Sequence, residues 1–365
     1  MHVDQFTFEL PKHKIAQKPL ENKDQAKLLV LRKETGQVSH HIMADLPDLL
    51  GPEFHIILND SRVVPSTLAL ESSEDSQHSS VSFGYQPKQQ KWTPLGSAEE
   101  SANPHRSGQY SEKEQWKARV KEEVQKETSK HASGVIEPSE LSAEIEMLLQ
   151  RKGRVTYPRY LKHLRKEYPV GVPDFYNNAY ASHPGSIAPP SGGINVSNDI
   201  LRSLKEQEVG ISNLTLHVGH VTFKRPKVQD LNLHKMGAEY FHIAQDTAAE
   251  IRKAQINGKK LLAIGTTSTR TLEHIAKQIS LQQEDVTKQI VLENQAYEGM
   301  ADIFIKPGHR FRMVDALLTG FHGPRTTLFM LICALGGIEA VKDAYQEALQ
   351  LDYRWYTLGD SMLIL

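Results

Sequence analysis

Apolar and polar positions change rhythm along this chain, and the changes predict its elements. Phe54-His55-Ile56-Ile57-Leu58 is a short apolar run that ends on Asn59-Asp60, the pattern of a buried strand running into turn residues. After Leu70 the rhythm is lost. Residues 71 to 133 are crowded with Ser, Glu, Gln and Lys, and alternate only briefly at Val81-Ser82-Phe83-Gly84-Tyr85 and Trp116-Lys117-Ala118-Arg119-Val120. An apolar face returns after Leu141 with Ile145, Leu148 and Leu149. From residue 199 helix and strand patterns alternate. Ile200, Leu201 and Leu204 mark a helix ending at Gly210, and Ile211 to Val218 reads as a strand. Thr247 to Gln255 is a helix stopped near Asn257-Gly258, Lys260 to Ile264 a strand, and Thr269 to Gln278 a further helix. The alternation predicts an α/β fold, and no period of solenoid length interrupts it.

Candidate chemistry sits where charged or hydroxyl residues meet this apolar framework. Ile303-Phe304-Ile305 reads as a short buried strand, followed by a turn at Pro307-Gly308. Beyond it Arg310, Arg312, Asp315 and His322 alternate with apolar anchors, which suggests a site on a rigid scaffold. Arg310, Arg312 and Arg325 together suggest one electropositive rim. Gly265-Thr266-Thr267-Ser268-Thr269-Arg270 lies between the strand at Leu261 to Ile264 and a helix. Backbone N–H groups at such a helix start suit a phosphate, a carboxylate or ribose hydroxyls, and an ordinary Thr or Ser cap has the same spacing. Asn59-Asp60-Ser61-Arg62 fits an Asx turn with Arg62 solvated, or an Arg62 anchor for a phosphate or carboxylate. His217, between Leu216 and Val218, is a core histidine or a proton carrier. His322 is flanked by Gly320 and Gly323, where backbone can approach a ligand.

Composition narrows the picture. The 365 residues suffice for about two domains. A content of 39% hydrophobic and 24% charged residues favours folding, while a mean hydropathy of −0.46 points to an unusually polar portion. The net charge is −1, so any nucleic-acid contact must come from a local basic patch. The single cysteine, Cys333, lies in an apolar helix-like run from Leu328 to Leu335 and reads as a core thiol. With no His-x-x-x-His pair and no carboxylate cluster at ligand spacing, no metal is expected. Dinucleotide and P-loop glycine motifs are lacking. No run of about 20 apolar residues occurs, so a soluble, cytoplasmic monomer with no membrane contact is expected.

Several segments together carry a resemblance. Phe6-Thr7-Phe8-Glu9-Leu10-Pro11, Ile15-Ala16-Gln17-Lys18-Pro19-Leu20-Glu21, Leu28-Leu29-Val30-Leu31 and Leu58-Asn59-Asp60-Ser61-Arg62-Val63 open the series. Thr215-Leu216-His217-Val218-Gly219, Gly265 to Glu273, Asp302 to Pro324, Tyr353-Arg354-Trp355-Tyr356 and Gly359 to Ile364 complete it. In order and spacing these segments resemble the S-adenosylmethionine:tRNA ribosyltransferase-isomerases of queuosine biosynthesis.

The resemblance implies a mixed-sheet main domain from residues 1–70 and 150–365. Residues 71–149 would form an inserted small β-barrel-like domain, here polar and degenerate or partly disordered. It also implies a reaction in which the ribosyl part of S-adenosylmethionine is moved onto an aminomethyl-deazaguanine in tRNA and isomerised to epoxyqueuosine, releasing methionine and adenine. S-adenosylmethionine is then a co-substrate and tRNA a partner. A base must remove a proton beside the sulfonium, and an acid should help adenine leave. His217, His322, Asp302 and Asp315 are the candidates for proton transfer. Asn59, Asp60, Arg62, Gly265, Thr266, Thr267, Ser268, Arg270, Glu273, Arg310, Arg312 and Phe321 are the candidates for substrate binding. Arg270 is expected to meet the donor directly.

The chain departs from the family at several motifs. The family's Pro-Thr-Ala-Gly-Leu-His-Phe is Pro190-Ser191-Gly192-Gly193-Ile194-Asn195-Val196, and its His-Lys-Met-His-x-Glu is His234-Lys235-Met236-Gly237-Ala238-Glu239. Its Leu-Gly-Thr-Phe is His220-Val221-Thr222-Phe223, and its Asn-Phe-His-Leu-Pro is Gly320-Phe321-His322-Gly323-Pro324. Asparagine hydrogen-bonds but does not shuttle protons near neutral pH. Two alternatives to the family reaction therefore stay open: an adenosylmethionine-using enzyme acting on a small molecule, and a non-catalytic RNA- or ligand-binding relative.

Overall fold

The computed structural model describes residues 1–70, 79–86, 91–97, 142–219, 225–281 and 290–365. Two compact units emerge. One comprises residues 1–62, Asn177–His183 and Pro189–Leu365, and the other Val63–Tyr176 with Pro184–Ala188. These divisions differ from the expected ones at 70/71 and 149/150.

In chain order the strands are β1 (Lys27–Arg32), β2 (Gln37–Ile42), β3 (Phe54–Asn59), β4 (Ser61–Val63), β5 (Thr67–Leu70), β6 (Ser79–Gln86) and β7 (Lys91–Ser97). They continue as β8 (His183–Ser186), β9 (Gly210–Leu216), β10 (Glu239–Ile243), β11 (Lys260–Ile264), β12 (Tyr297–Ala301), β13 (Ala316–Gly320) and β14 (Ser361–Ile364). The longer helices are α1 (Ser142–Lys152), α2 (Asn198–Glu206), α3 (Gln245–Ile256), α4 (Gly265–Ser280), α5 (Thr327–Gly336) and α6 (Ile338–Gln350).

The first unit is built on a nine-stranded mixed sheet in the order β12-β10-β9-β3-β11-β13-β14-β1-β2. Its centre is parallel: β9, β3, β11 and β13 run the same way. Every residue of β3 and β13 is buried, as expected of parallel strands covered on both faces. Alternate residues divide the core. Leu28, Ile56, Leu262, Leu318 and Leu363 join Ile200, Leu201 and Leu204 of α2 in one cluster. Ser197 caps α2, its Oγ accepting from the Ile200 N–H at 3.2 Å.

The chain ends are tied together near the sheet. The Trp355 N–H donates to the Lys14 carbonyl at 2.8 Å, and the Ala16 N–H to the Trp355 carbonyl at 3.2 Å. Trp355 is fully buried and its ring packs 4.8 Å from that of Phe321. Cys333 is buried in α5, and burial pushes its thiol up to about 12.

The second unit contains an antiparallel sheet in the order β5-β6-β7, with a register shift at Ser82/Phe83. Ile145, Leu148 and Leu149 are buried on α1, and this helix runs through the expected 149/150 boundary. The strand expected at Trp116–Val120 lies outside the described residues.

Two sequence expectations need correction. Ile303 and Ile305 are buried but form no strand, because β12 ends at Ala301; the turn that follows is real, with Gly308 at φ +95°. The helix expected from Thr269 starts four residues earlier, at Gly265. Among the described residues no helix is long and apolar enough to cross a membrane.

Candidate active site

The parallel centre of the sheet brings the carboxyl ends of β3, β9, β11 and β13 to one rim. In such sheets ligands bind outside those ends. Asn59, the last residue of β3, holds the rim together. Its Nδ2 donates to the Leu216 carbonyl and to Thr267 Oγ1, each at 3.0 Å. Its Oδ1 accepts from the Leu216 N–H at 3.0 Å and the Ser61 N–H at 3.1 Å. One side chain thus joins β3, β9 and the start of α4.

Asp60 beside it is buried. Its carboxylate accepts from Thr215 Oγ1 at 2.7 Å and Ser182 Oγ at 3.2 Å and lies 3.0 Å from His183 Nδ1. Arg62 is exposed. Ser61 Oγ lies 2.7 Å from His217 Nδ1, and the His217 ring stacks on Tyr240 with centroids 6.0 Å apart. Burial first, and then the neighbouring His183, pulls His217 down to about 4, so its imidazole is neutral at physiological pH.

The strand-to-helix junction differs from the expected turn. Gly265 adopts φ +87°, a left-handed value open to glycine, and β11 passes directly into α4. Ser268 and Thr269 donate to the carbonyls of Ile264 and Gly265, at 2.8 and 3.2 Å. The hydroxyls therefore bond backward along the helix and cap nothing. Ile264, at the cap position, offers no side-chain acceptor. Among the described residues the positive end of α4 thus has no side-chain cap from its N-cap residue. Gly192 packs against it so closely that a Cβ there would sit 2.6 Å from Gly265 Cα.

His322 reaches the same rim from the end of β13. Its Nε2 lies 3.1 Å from Thr319 Oγ1, its backbone N–H donates to Tyr345 Oη at 3.2 Å, and burial lowers it to about 4. Asn195 donates from Nδ2 to the Gly359 carbonyl at 2.8 Å and Ser361 Oγ at 3.2 Å. Its amide fastens the 190–196 loop to the start of β14.

Other candidates lie elsewhere. Arg270 is buried in an ion pair with Glu239, and its Nη2 donates to the Gly237 and Ala301 carbonyls at 3.2 and 3.0 Å. Its Nη1 and Nη2 are engaged by the protein where a contact with the donor was expected, while its buried Nε has no hydrogen-bond partner among the described residues. Phe321 is fully buried between Tyr345, Tyr353 and Trp355, so its ring is core. Asp315 precedes β13, at the opposite end from the rim. Its Oδ2 accepts from the Leu261 N–H at 2.8 Å, and burial raises its carboxyl. Five strand residues separate it from the rim, about 16 Å.

Asp302, Glu273, Arg310 and Arg312 gather instead on the flank of α4, around a cavity of about 710 Å³ shared with Lys235, Lys277 and Lys306. Glu273 accepts the N–H groups of Arg312, Met313 and Val314 at 2.9–3.2 Å, and its Oε2 lies 3.1 Å from His309 Nε2. It anchors the Lys306–Asp315 loop to the helix. Arg325 lies apart from this group, paired with Asp4 at 2.8 Å.

Sequence reasoning missed Glu239, His183 and Tyr240 as members of the arrangement. Glu239 closed the departing motif His234 to Glu239; His183 and Tyr240 carried no local signal. Among the described residues no group of three His, Cys, Asp or Glu side chains is placed to hold a metal ion.

Fold and rim define an α/β protein whose candidate site residues Asn59, His217 and Thr267 stand at the carboxyl ends of parallel strands. A model of the queuosine biosynthesis protein family matches residues 3–364. Similar curated proteins are each called S-adenosylmethionine:tRNA ribosyltransferase-isomerase. That of Moorella thermoacetica is 35% identical over 365 residues, that of Symbiobacterium thermophilum 34% over 374, and that of Halothermothrix orenii 32% over 365. Each alignment covers 100% of both chains. The chain belongs to the queuosine biosynthesis protein family. A crystal structure of an S-adenosylmethionine tRNA ribosyltransferase from Thermotoga maritima matches with a TM-score of 0.54 at 24% identity, covering 99% of this chain and 100% of that one. It shares the large mixed sheet and bears on the fold alone.

Proposed function

We propose that this protein transfers the ribosyl moiety of S-adenosylmethionine onto an aminomethyl-deazaguanine of tRNA and isomerises it to epoxyqueuosine, in the cytoplasm. The observation that carries the reading beyond family membership is the pairing of the uncapped α4 start with a histidine kept neutral by burial. In this reading His217 accepts the proton beside the sulfonium, because an imidazole must be unprotonated to do so. Ser61 fixes its ring through the 2.7 Å contact. The N–H groups of Gly265 to Ser268 receive the donor's carboxylate or ribose hydroxyls. His322, also neutral, contacts the donor from the far side of the rim. Asn59 and Asp60 hold these groups in place. The sheet β5-β6-β7 belongs to the inserted barrel-like domain that the family resemblance implies.

A single-turnover assay on tRNA bearing the aminomethyl-deazaguanine, following adenine and methionine release, tests the proposal. The native protein should release both only with the modified tRNA. His217→Gln should slow the step by about 10²–10⁴-fold, with adenosylmethionine affinity kept within a few-fold. Because Asn195 serves as a backbone donor, Asn195→His combined with Gly237→His should not raise the rate. No release from the native protein despite donor binding would point to another acceptor.

A further inference from the structure

We infer that the basic cavity on the flank of α4 is a binding groove for the phosphodiester backbone of RNA, separate from the rim where the reacting nucleotide would sit. The inference rests on the tRNA reading above. Five cationic side chains, Lys235, Lys277, Lys306, Arg310 and Arg312, face two carboxylates in the cavity lining, Glu273 and Asp302. The balance is plus three in a chain whose formal net charge is −1. Such a local concentration draws a polyanion to one place on a protein whose remaining formal charge is negative. Lys235, Lys277 and Arg310 are exposed, so they can reach a backbone lying across the mouth.

Arg312 supplies a second, independent observation. Its Nη1 is buried and has no hydrogen-bond partner among the described residues. A buried donor left unpaired is costly, and an incoming phosphate oxygen would satisfy it with a charge-assisted bond. Glu273 does not compete for it, since its oxygens are taken by three loop amides and lie beside His309.

Charge also distinguishes RNA from the donor. Adenosylmethionine carries a cationic sulfonium, which five cations would repel. Small-ligand pockets are lined mainly by apolar side chains, unlike this one. Spacing fits as well. Lys277 lies ten residues after Thr267 on α4, about 15 Å along the axis, the length of roughly four stacked nucleotides. A strand with one base at the rim would carry its flanking phosphates to the cavity.

The test measures binding of an unmodified tRNA transcript to the full chain between 50 and 250 mM KCl, roughly the range where phosphate contacts are lost. Lys277→Ala combined with Arg312→Ala should weaken binding about tenfold or more at the low-salt end. It should also reduce the slope of log affinity against log salt by about 1–2, since each phosphate contact contributes about 0.7–0.9. Adenosylmethionine affinity should stay within twofold. Lys277→Glu, a change at an exposed helix position, provides the same readout should the double variant fold poorly. Unchanged tRNA affinity and salt slope in a native protein that performs the reaction would overturn the groove and leave the function standing. Loss of adenosylmethionine affinity with tRNA binding intact would overturn it in favour of a donor subsite. A native chain that neither binds tRNA nor releases adenine would overturn both.

Discussion

Asn59 shows how much of the rim depends on one side chain. An amide is suited to its place because it must donate twice and accept twice, and here all four bonds are made. Asn59→Ala would strand the Leu216 N–H and carbonyl in a dry environment. We expect a loss of about 2–3 kcal/mol in urea denaturation, with Thr267→Val costing less because it removes one of the four bonds. A loss below about 0.5 kcal/mol would mean that water or neighbouring groups replace the amide. The identity of this residue was legible in the sequence, within a matched motif at a strand end. Its partners were not, since Leu216 and Thr267 lie more than 150 residues away along the chain.

At the scale of elements, the Arg270–Glu239 pair couples α4 to β10. Both residues are buried, and removing one partner of a buried pair leaves an uncompensated charge. Arg270→Ala should therefore destabilise the protein by about 3–5 kcal/mol. Replacing both, as Arg270→Met with Glu239→Leu, should recover most of that loss, so a double-mutant cycle on thermal unfolding checks the prediction. If Arg270→Ala leaves stability intact and lowers only donor affinity, the guanidinium belongs to the ligand after all. Of the four central strands, β3, β9 and β11 were predicted from their apolar runs to within about two residues, while β13 was not predicted. The start of α4 was misjudged because hydroxyl residues fit both a capping turn and a first helical turn whose side chains bond backward.

For the molecule as a whole, buried histidines set an acid limit. Burial lowers His55 and His322 to about 4, below the ordinary value near 6.5. The unfolded chain therefore binds more protons than the fold between those values, so stability is complete above about pH 6.5 and lost as pH falls toward 4. The limiting slope is about 1.4 kcal/mol per pH unit for each fully buried group. Urea midpoints measured from pH 7.5 to 4.5 should fall across this window, and less steeply in His322→Asn. A midpoint constant down to pH 5 would exclude the effect.

By itself the sequence determined the alternation of elements, the family, the buried thiol at Cys333 and the residue types of the rim. These are properties of local pattern and of ordered motifs, and hydrophobic periodicity encodes them directly. Tertiary structure decided which charged residues meet. Arg310, Asp315 and Phe321 stand within twelve positions of one another, yet one lines the flanking cavity, one closes the far end of the sheet and one is core. A strand carries successive residues about 3.3 Å along the sheet and turns them to opposite faces. Neighbours in sequence are thereby separated, and residues as distant as Asn59, His217 and Thr267 are brought to one rim by the parallel order of β9, β3 and β11.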